Sequence, residues 1–446
     1  MNGRRVVITG LGPVTPIGVG AAAFWNALLE GASGIRRVRA FDPARFESQM
    51  CGEIDGVEVG AYVPKSYRKA AKIMARDIVL AMAGAYEAVK DAGLKTKCIV
   101  ERGEASGPPN ADPTRVGANI GAGLICADLP ELASALYSAS DNGDFSLARW
   151  GTEGMSNLTP LWLLKFLPNM LACHVTIVHD CQGPSNTITC GEASSHLAIG
   201  EAFRTIARGV ADVCICGGAE SKDNAMALLR QSLGNRLSRR NDQPERACRP
   251  FGADRDGTVV SEGGGLVILE ELEHAKARGA RIYAELVGFG ASNDACSPAQ
   301  PSKPHPDGRG TLLAARKALR DAAIDVGQVD MIGAFAAGTV EHDRSEAAAI
   351  RALLGDRTAQ VPAMAIKGGL GNNGAGSGAI DFTAAVLAIQ NGTIPVAVNS
   401  NPVDPVCGLK LITDKPVDAR IDHALSIGYA LGGGQNAALV LRRYQQ

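Results

Sequence analysis

Cys190, Glu192 and His196 place a thiol, a carboxylate and an imidazole within two turns of chain, the three group types that carry nucleophilic and acid–base chemistry. His196 follows Glu192 at helical spacing, which makes it a histidine of the core or of an interface. A second charged cluster is Asp254-Arg255-Asp256-Gly257. His174 and His179 flank an apolar, strand-like run, but no cysteine or carboxylate accompanies them at metal-ligand spacing, so no metal site is expected. The glycine-rich segments lack the lysine-serine pair of a phosphate loop, and Gly10-Leu11-Gly12 has no further glycine at the dinucleotide spacing. No cofactor is expected.

These groups must be positioned by a large chain. It has 446 residues, with 45 basic and 46 acidic, so the net charge of −1 argues against a nucleic-acid surface or a polybasic membrane anchor. No apolar run approaches the ~20 residues of a membrane span. Eleven cysteines without a CxxC pair sit in apolar segments such as Val213-Cys214-Ile215-Cys216, as reduced packed thiols do. The opening residues lack the apolar stretch of a secretory leader, and the expected compartment is the cytoplasm.

Short β-branched runs alternate with Ala-rich stretches of helical period, which predicts an α/β class with parallel strands covered by helices. Strands are expected at Val6 to Thr9, Val116 to Ile120, Val213 to Cys216, Leu266 to Glu270, Ala284 to Gly288, Asp330 to Ala334 and Ala437 to Arg442. Helices are expected at Ala22 to Leu29, Arg76 to Ala92, near Arg344 to Leu354 and near Ile380 to Gln390. The polar bridge Glu271 to Gly279 divides the chain into two units, residues 1–279 and 280–446. Lys95 to Pro113 and Ser138 to Ser156 read as inserted surface loops, from their Gly, Pro, Asn and Asp content.

Several ordered segments together carry a resemblance: Val6-Val7-Ile8-Thr9-Gly10-Leu11-Gly12, Gly183-Pro184-Ser185, Gly217-Gly218-Ala219-Glu220, Arg249-Pro250-Phe251 with Asp254-Arg255-Asp256-Gly257, and Gly433-Gly434-Gln435-Asn436. Over nearly its whole length the chain resembles the β-ketoacyl-[acyl carrier protein] synthases, the type II ketosynthases of fatty-acid and polyketide synthesis. The resemblance implies the thiolase fold, with two similar α/β halves stacked as five layers, αβαβα, in a dimer. It also implies a site of four parts. A cysteine at the head of a buried helix takes the acyl chain as a thioester, two histidines hold the malonyl thioester carbonyl as carbon dioxide leaves, and a phenylalanine gates the site.

Each part is replaced here. The cysteine position, ten places into the Gly183-Pro184-Ser185 segment and eight before Gly200, falls on Glu192. A helix N-terminus would hold that carboxylate as an anion, but attack by a carboxylate on a thioester gives a reactive anhydride. Cys190, a conceivable substitute nucleophile, is expected at the strand end with its side chain turned elsewhere, as a buried thiol near an interface. The first histidine position, in Phe335-Ala336-Ala337-Gly338-Thr339, holds Ala337. His342 nearby reads as a loop residue, with reach into the cavity as the alternative. The second histidine position, five after Lys367, holds Asn372, which can donate a hydrogen bond but cannot titrate near neutrality. The gate position falls on Gly432.

By the resemblance, Gly432, Gly433, Asn372 and Thr339 would face substrate. Lys367 and Glu346 would form a supporting ion pair, with Asp343 beside them, and Lys367 with Glu192 is the rival pairing. Asp254-Arg255-Asp256-Gly257 would be scaffold. Loss of all four parts beside an intact scaffold suggests a non-condensing subunit that shapes the acyl tunnel of a partner, as chain-length factors do. The alternatives are an enzyme acting on acyl-carrier thioesters through Glu192 and a residual ketosynthase acyltransferase. Expected partners are an acyl carrier protein or acyl thioester, and a second copy or an intact ketosynthase.

Overall fold

The computed structural model describes residues 4–294, 303–432 and 434–445. Ten core strands are β1 (Val6–Thr15), β2 (Val116–Ala122), β3 (Ser185–Ile188), β4 (Val213–Ser221), β5 (Val260–Glu271), β6 (Ala284–Asn293), β7 (Met331–Gly333), β8 (Pro362–Met364), β9 (His423–Tyr429) and β10 (Gln435–Arg442). Six helices cover them: α1 (Arg76–Asp91), α2 (Met170–His179), α3 (Ser194–Ala207), α4 (Arg309–Ala322), α5 (Val340–Leu354) and α6 (Ser377–Asn391).

The strand order is β8-β7-β9-β10-β6 in one half and β1-β5-β4-β2-β3 in the other, joined where Val6 and Ile8 of β1 pair with Leu286 and Ala284 of β6. Both halves share one pattern. β2 lies parallel to β3 and β4, and β7 lies parallel to β8 and β9. β5 is antiparallel to β4 and β1, and β10 is antiparallel to β9 and β6. The sheets are therefore mixed rather than parallel. β9 and β10 are joined by the short stretch 430–434, whereas residues 222–259, with the helix Ala225–Leu233, lie between β4 and β5; both pairs return antiparallel, which an apolar-run pattern alone does not distinguish from crossover strands.

The layering follows from side-chain alternation along strands buried on both faces. Cys214, Cys216, Val267, Leu269, Leu439 and Leu441 point to a central core with Ile199, Phe203, Phe382 and Val386 from α3 and α6. Their neighbours Val213, Ile215, Leu266 and Ile268 point the other way, onto α1 and α2. On the second sheet Ala438 and Val440 point onto α4 and α5. The result is αβαβα, the thiolase fold, and α6 is apolar around most of its circumference because it lies in the middle layer.

Three local expectations are corrected. Met170 to His179 is a helix, since Leu171, His174, Val175 and Val178 are buried at helical rather than alternating spacing. The inserted loops hold regular structure: Lys97–Glu101 is a short helix anchored by buried Cys98 and Ile99. Ser140–Asp141 and Asp144–Phe145 form a hairpin, with Asn142 and Gly143 at φ 49° and 92°, the backbone an Asn-Gly turn supplies.

Candidate functional site

Both halves contribute equivalent connections to one place at the strand ends. Glu192 lies between β3 and α3, and Asn372 lies between β8 and α6. Lys222 follows the end of β4, and Leu431 follows the end of β9. The Glu192 carboxylate is where these four connections meet. Its Oε1 accepts from Lys222 Nζ at 3.0 Å and from Asn372 Nδ2 at 3.1 Å, and its Oε2 accepts from the Leu431 amide at 3.0 Å. Glu192 and Lys222 are each 5% exposed.

Burial opposes a charge on Glu192, but Lys222, the Leu431 N–H and Asn372 outweigh it and hold the carboxyl down to about 2. The anion expected from the helix N-terminus is thus an anion for a different reason. α3 begins only at Ser194, and the donors come from the other connections. Lys222 is held above the usual lysine value: burial works against its charge, and Glu192 and Glu220 restore it.

Asn372 is fixed by its own contacts. Its backbone N–H donates to Val259 O at 2.8 Å, and its Oδ1 accepts from the Gly374 amide at 3.0 Å and Ser377 Oγ at 3.3 Å. With its Nδ2 on Glu192, the side chain braces the carboxylate. Thr339 is likewise turned inward, its Oγ1 2.9 Å from His342 Nδ1. Gly433 lies outside the described residues.

Ala337 is fully buried after β7. The carboxylates beyond it serve the backbone: Glu346 accepts from the Phe335 and Ala336 amides at 2.7 and 2.8 Å, and Asp343 accepts from the Phe251 and Gly338 amides at 2.7 and 2.9 Å. The ion pair assigned to Lys367 and Glu346 is not formed. Lys367 Nζ bonds Asp381 of α6 at 2.5 Å, and the rival pairing with Glu192 is taken by Lys222. Asp381 lies 14 positions after Lys367, on α6, so the packing of α6 creates this contact.

His342 is no loop residue. It sits in the first turn of α5, buried, with Nε2 3.2 Å from the Leu431 carbonyl and its ring stacked on Tyr429. It holds the Leu431 segment from behind while the Leu431 amide reaches Glu192. His196 is a core residue, its Nε2 2.9 Å from Ser426 Oγ. Arg255 of the charged cluster is buried against Asp404 at 2.9 Å and Asp343 at 3.4 Å, a scaffold contact.

In front of Glu192 opens a cavity of about 490 Å³, lined by Glu220, Lys222, Arg230, Gln231 and Arg236. Gly432 borders it. A Cβ there would come 2.9 Å from Arg236 Nη2, so the guanidinium occupies the space a side chain at the gate position would need. Cys190 also borders the cavity, half-buried rather than buried and turned away, and burial raises its thiol pKa. Glu220 lies between Gly123 and Gly374, where added Cβ atoms would fall 2.2 and 1.9 Å from its carboxyl group. Lys222, Arg230 and Arg236 went unnoticed in the sequence. Their signal in the chain is Lys222 two places after Glu220, followed by Arg230 in the last turn of the helix Ala225–Leu233 and Arg236 just beyond it.

Chemically, the partners of the Glu192 carboxylate are Lys222, Asn372 and the Leu431 amide, with no thiol or imidazole among them, and His196 in the first turn of α3 is turned to Ser426 instead. Its carboxylate has both oxygens engaged and, with a pKa near 2, is a weak base at neutral pH. Among the described residues no group of three or more His, Cys, Asp or Glu could hold a metal ion. Among the same residues no helix is long and apolar enough to cross a membrane.

Models of the Beta-ketoacyl synthase N-terminal and C-terminal domains match residues 3–275 and 283–401. The 3-oxoacyl-[acyl-carrier-protein] synthase 2 of Coxiella burnetii is 34% identical over 444 residues, covering 99% of each chain. Among solved structures, the ishigamide ketosynthase/chain length factor superposes with a TM-score of 0.83 at 29% identity, covering 99% of this chain and 100% of that one. A type II PKS acyl-carrier protein in complex with its ketosynthase bound to the hexaketide gives 0.84 at 27% identity, with the same coverage.

Proposed function

Because the chain belongs to the beta-ketoacyl synthase family, we propose that it is a non-condensing member of fatty-acid or polyketide biosynthesis, a chain-length-factor-like subunit that shapes the acyl tunnel of an intact synthase. The observation that carries this reading is the Glu192 carboxylate, engaged by Lys222, Asn372 and the Leu431 amide at the position of the family nucleophile. A carboxylate so held is a weak base, carries no proton to give at neutral pH, and would form only an anhydride by attack on a thioester. Ala337 supplies no proton relay, and Asn372 is committed to Glu192. Its partners would be an intact ketosynthase and an acyl carrier protein, in the cytoplasm, where its free cysteines stay reduced. The halves would divide between residues 279 and 280.

The test is co-expression with intact Cys-His-His synthases, reading complex formation and product chain length. The expected result is a heterodimer whose products differ in length from those of the synthase alone. The isolated protein is then offered malonyl- and acyl-carrier thioesters. Turnover abolished by Glu192→Ala would replace this reading with an enzyme using that carboxylate, and an acyl adduct on Cys190 by mass spectrometry would replace it with a residual acyltransferase.

A further inference from the structure

The cavity in front of Glu192 carries positive charge without matching negative charge. Lys222 is paired with Glu192, and both carboxylate oxygens of Glu192 are engaged by donors. Arg230 and Arg236 have no carboxylate within 4.0 Å among the described residues. Arg230 makes one long contact, from Nη1 to Cys126 Sγ at 3.5 Å, and Arg236 one, from Nη1 to Gln231 Oε1 at 3.4 Å. Arg236 Nε is buried with no hydrogen-bond partner, which for a charged donor is costly unless something fills the space beside it. Burial, and to a lesser extent the neighbouring Arg230, disfavour the charge on Arg236, with Glu192 working the other way. The remaining acid lining the cavity, Glu220, accepts from the Ala375 amide at 2.6 Å and supports the charge on Lys222, so two carboxylates face the three cations Lys222, Arg230 and Arg236.

We propose that this cavity binds a small organic anion, its carboxylate or phosphate held by Arg230 and Arg236 and its remainder in the space before Glu192. A planar guanidinium pairs with either oxyanion through two parallel hydrogen bonds, and a bound anion would supply the counter-charge that neither arginine has within 4.0 Å among the described residues. The volume of about 490 Å³ accommodates a chain of several carbons besides the anionic head. Ala122, Leu124, Pro168 and Ala430 line the rest of the cavity, which suits a ligand with an anionic head and a short apolar remainder. This site does not depend on whether the chain condenses acyl groups or only partners a synthase that does.

The test is calorimetric titration of the purified protein, in the assembly it forms, with glutarate as the carboxylate probe, glycerol 3-phosphate as the phosphate probe and glutaramide as the neutral control. Saturable binding of either anion and none of glutaramide is expected, and the anion that binds identifies the head group. Arg236→Gln and Arg230→Gln should each weaken that binding at least about tenfold. Arg230 is exposed, so its substitution keeps the comparison readable if Arg236→Gln disturbs folding. Binding of neither anion, equal binding of glutaramide, or wild-type affinity in Arg230→Gln and Arg236→Gln alike would overturn the proposal.

Discussion

Replacing Glu192 with glutamine tests the central geometry directly. The side chain keeps its shape and one carbonyl acceptor, but Lys222, 5% exposed, loses the charge that faces it at 3.0 Å. Removing one partner of a buried pair costs about 3–5 kcal/mol, and the nearby Glu220 carboxyl, which also supports the Lys222 charge, places the expectation at the lower end. The pH dependence gives an independent measure. Glu192 is held at about 2 against an ordinary 4.5, which corresponds to about 3 kcal/mol of stability. Because the folded-state value is the lower one, that stability is complete above about pH 4.5 and is lost as the pH falls toward 2. Urea unfolding of the wild type, Glu192→Gln, Lys222→Met and the double variant, at matched protein concentration, reads both effects. The expected outcome at pH 7 is a loss of about 3 kcal/mol in Glu192→Gln, largely recovered in the double variant, which buries no unpaired charge. Between pH 4.5 and 2 the wild type should lose stability that Glu192→Gln has already lost. Stability of Glu192→Gln within about 0.5 kcal/mol of wild type at pH 7, or identical acid limbs for the two proteins, would refute the reasoning.

Other substitutions probe the supports. Asp381→Asn leaves Lys367 buried without its counter-ion and should cost about 3–5 kcal/mol, more than Glu346→Gln, which keeps one acceptor for the Phe335 and Ala336 amides. The reverse order in denaturant melts would return the ion pair to Glu346. Gly378→Ala puts a methyl group 2.1 Å from His196 Nδ1 in the middle layer, and a loss of about 1–3 kcal/mol is expected from that overpacking, read as a lower thermal midpoint. Gly432→Phe must displace the Arg236 guanidinium; it should lower the midpoint as well and leave malonyl-carrier turnover absent, because a restored gate supplies no nucleophile.

Much of the scaffold was legible in the chain because it rests on local pattern. Val213-Cys214-Ile215-Cys216 is apolar at every position, and a strand buried on both faces needs that whatever its neighbours. Arg76 to Asp91 shows its helix through the apolar period facing β1 and β5. The apolar run ending at His179 is a helix where a strand is expected, because so short an apolar stretch carries too little periodicity to separate the two. Strand direction escaped for a similar reason, since parallel and antiparallel strands buried on both faces look alike in sequence.

The identities at the site were fixed in the chain itself: a glutamate at position 192, an alanine at 337, an asparagine at 372 and a glycine at 432 exclude a thiol and two imidazoles wherever those residues come to lie. Which charge meets which was decided by the tertiary structure. Lys222 lies 30 residues from Glu192, Asn372 180 and Leu431 239, and their convergence depends on the two halves stacking so that equivalent strand ends face one another. Electrostatic partners across such separations leave no period and no local spacing in sequence, because Coulomb attraction acts through space and only the packed fold determines the distance.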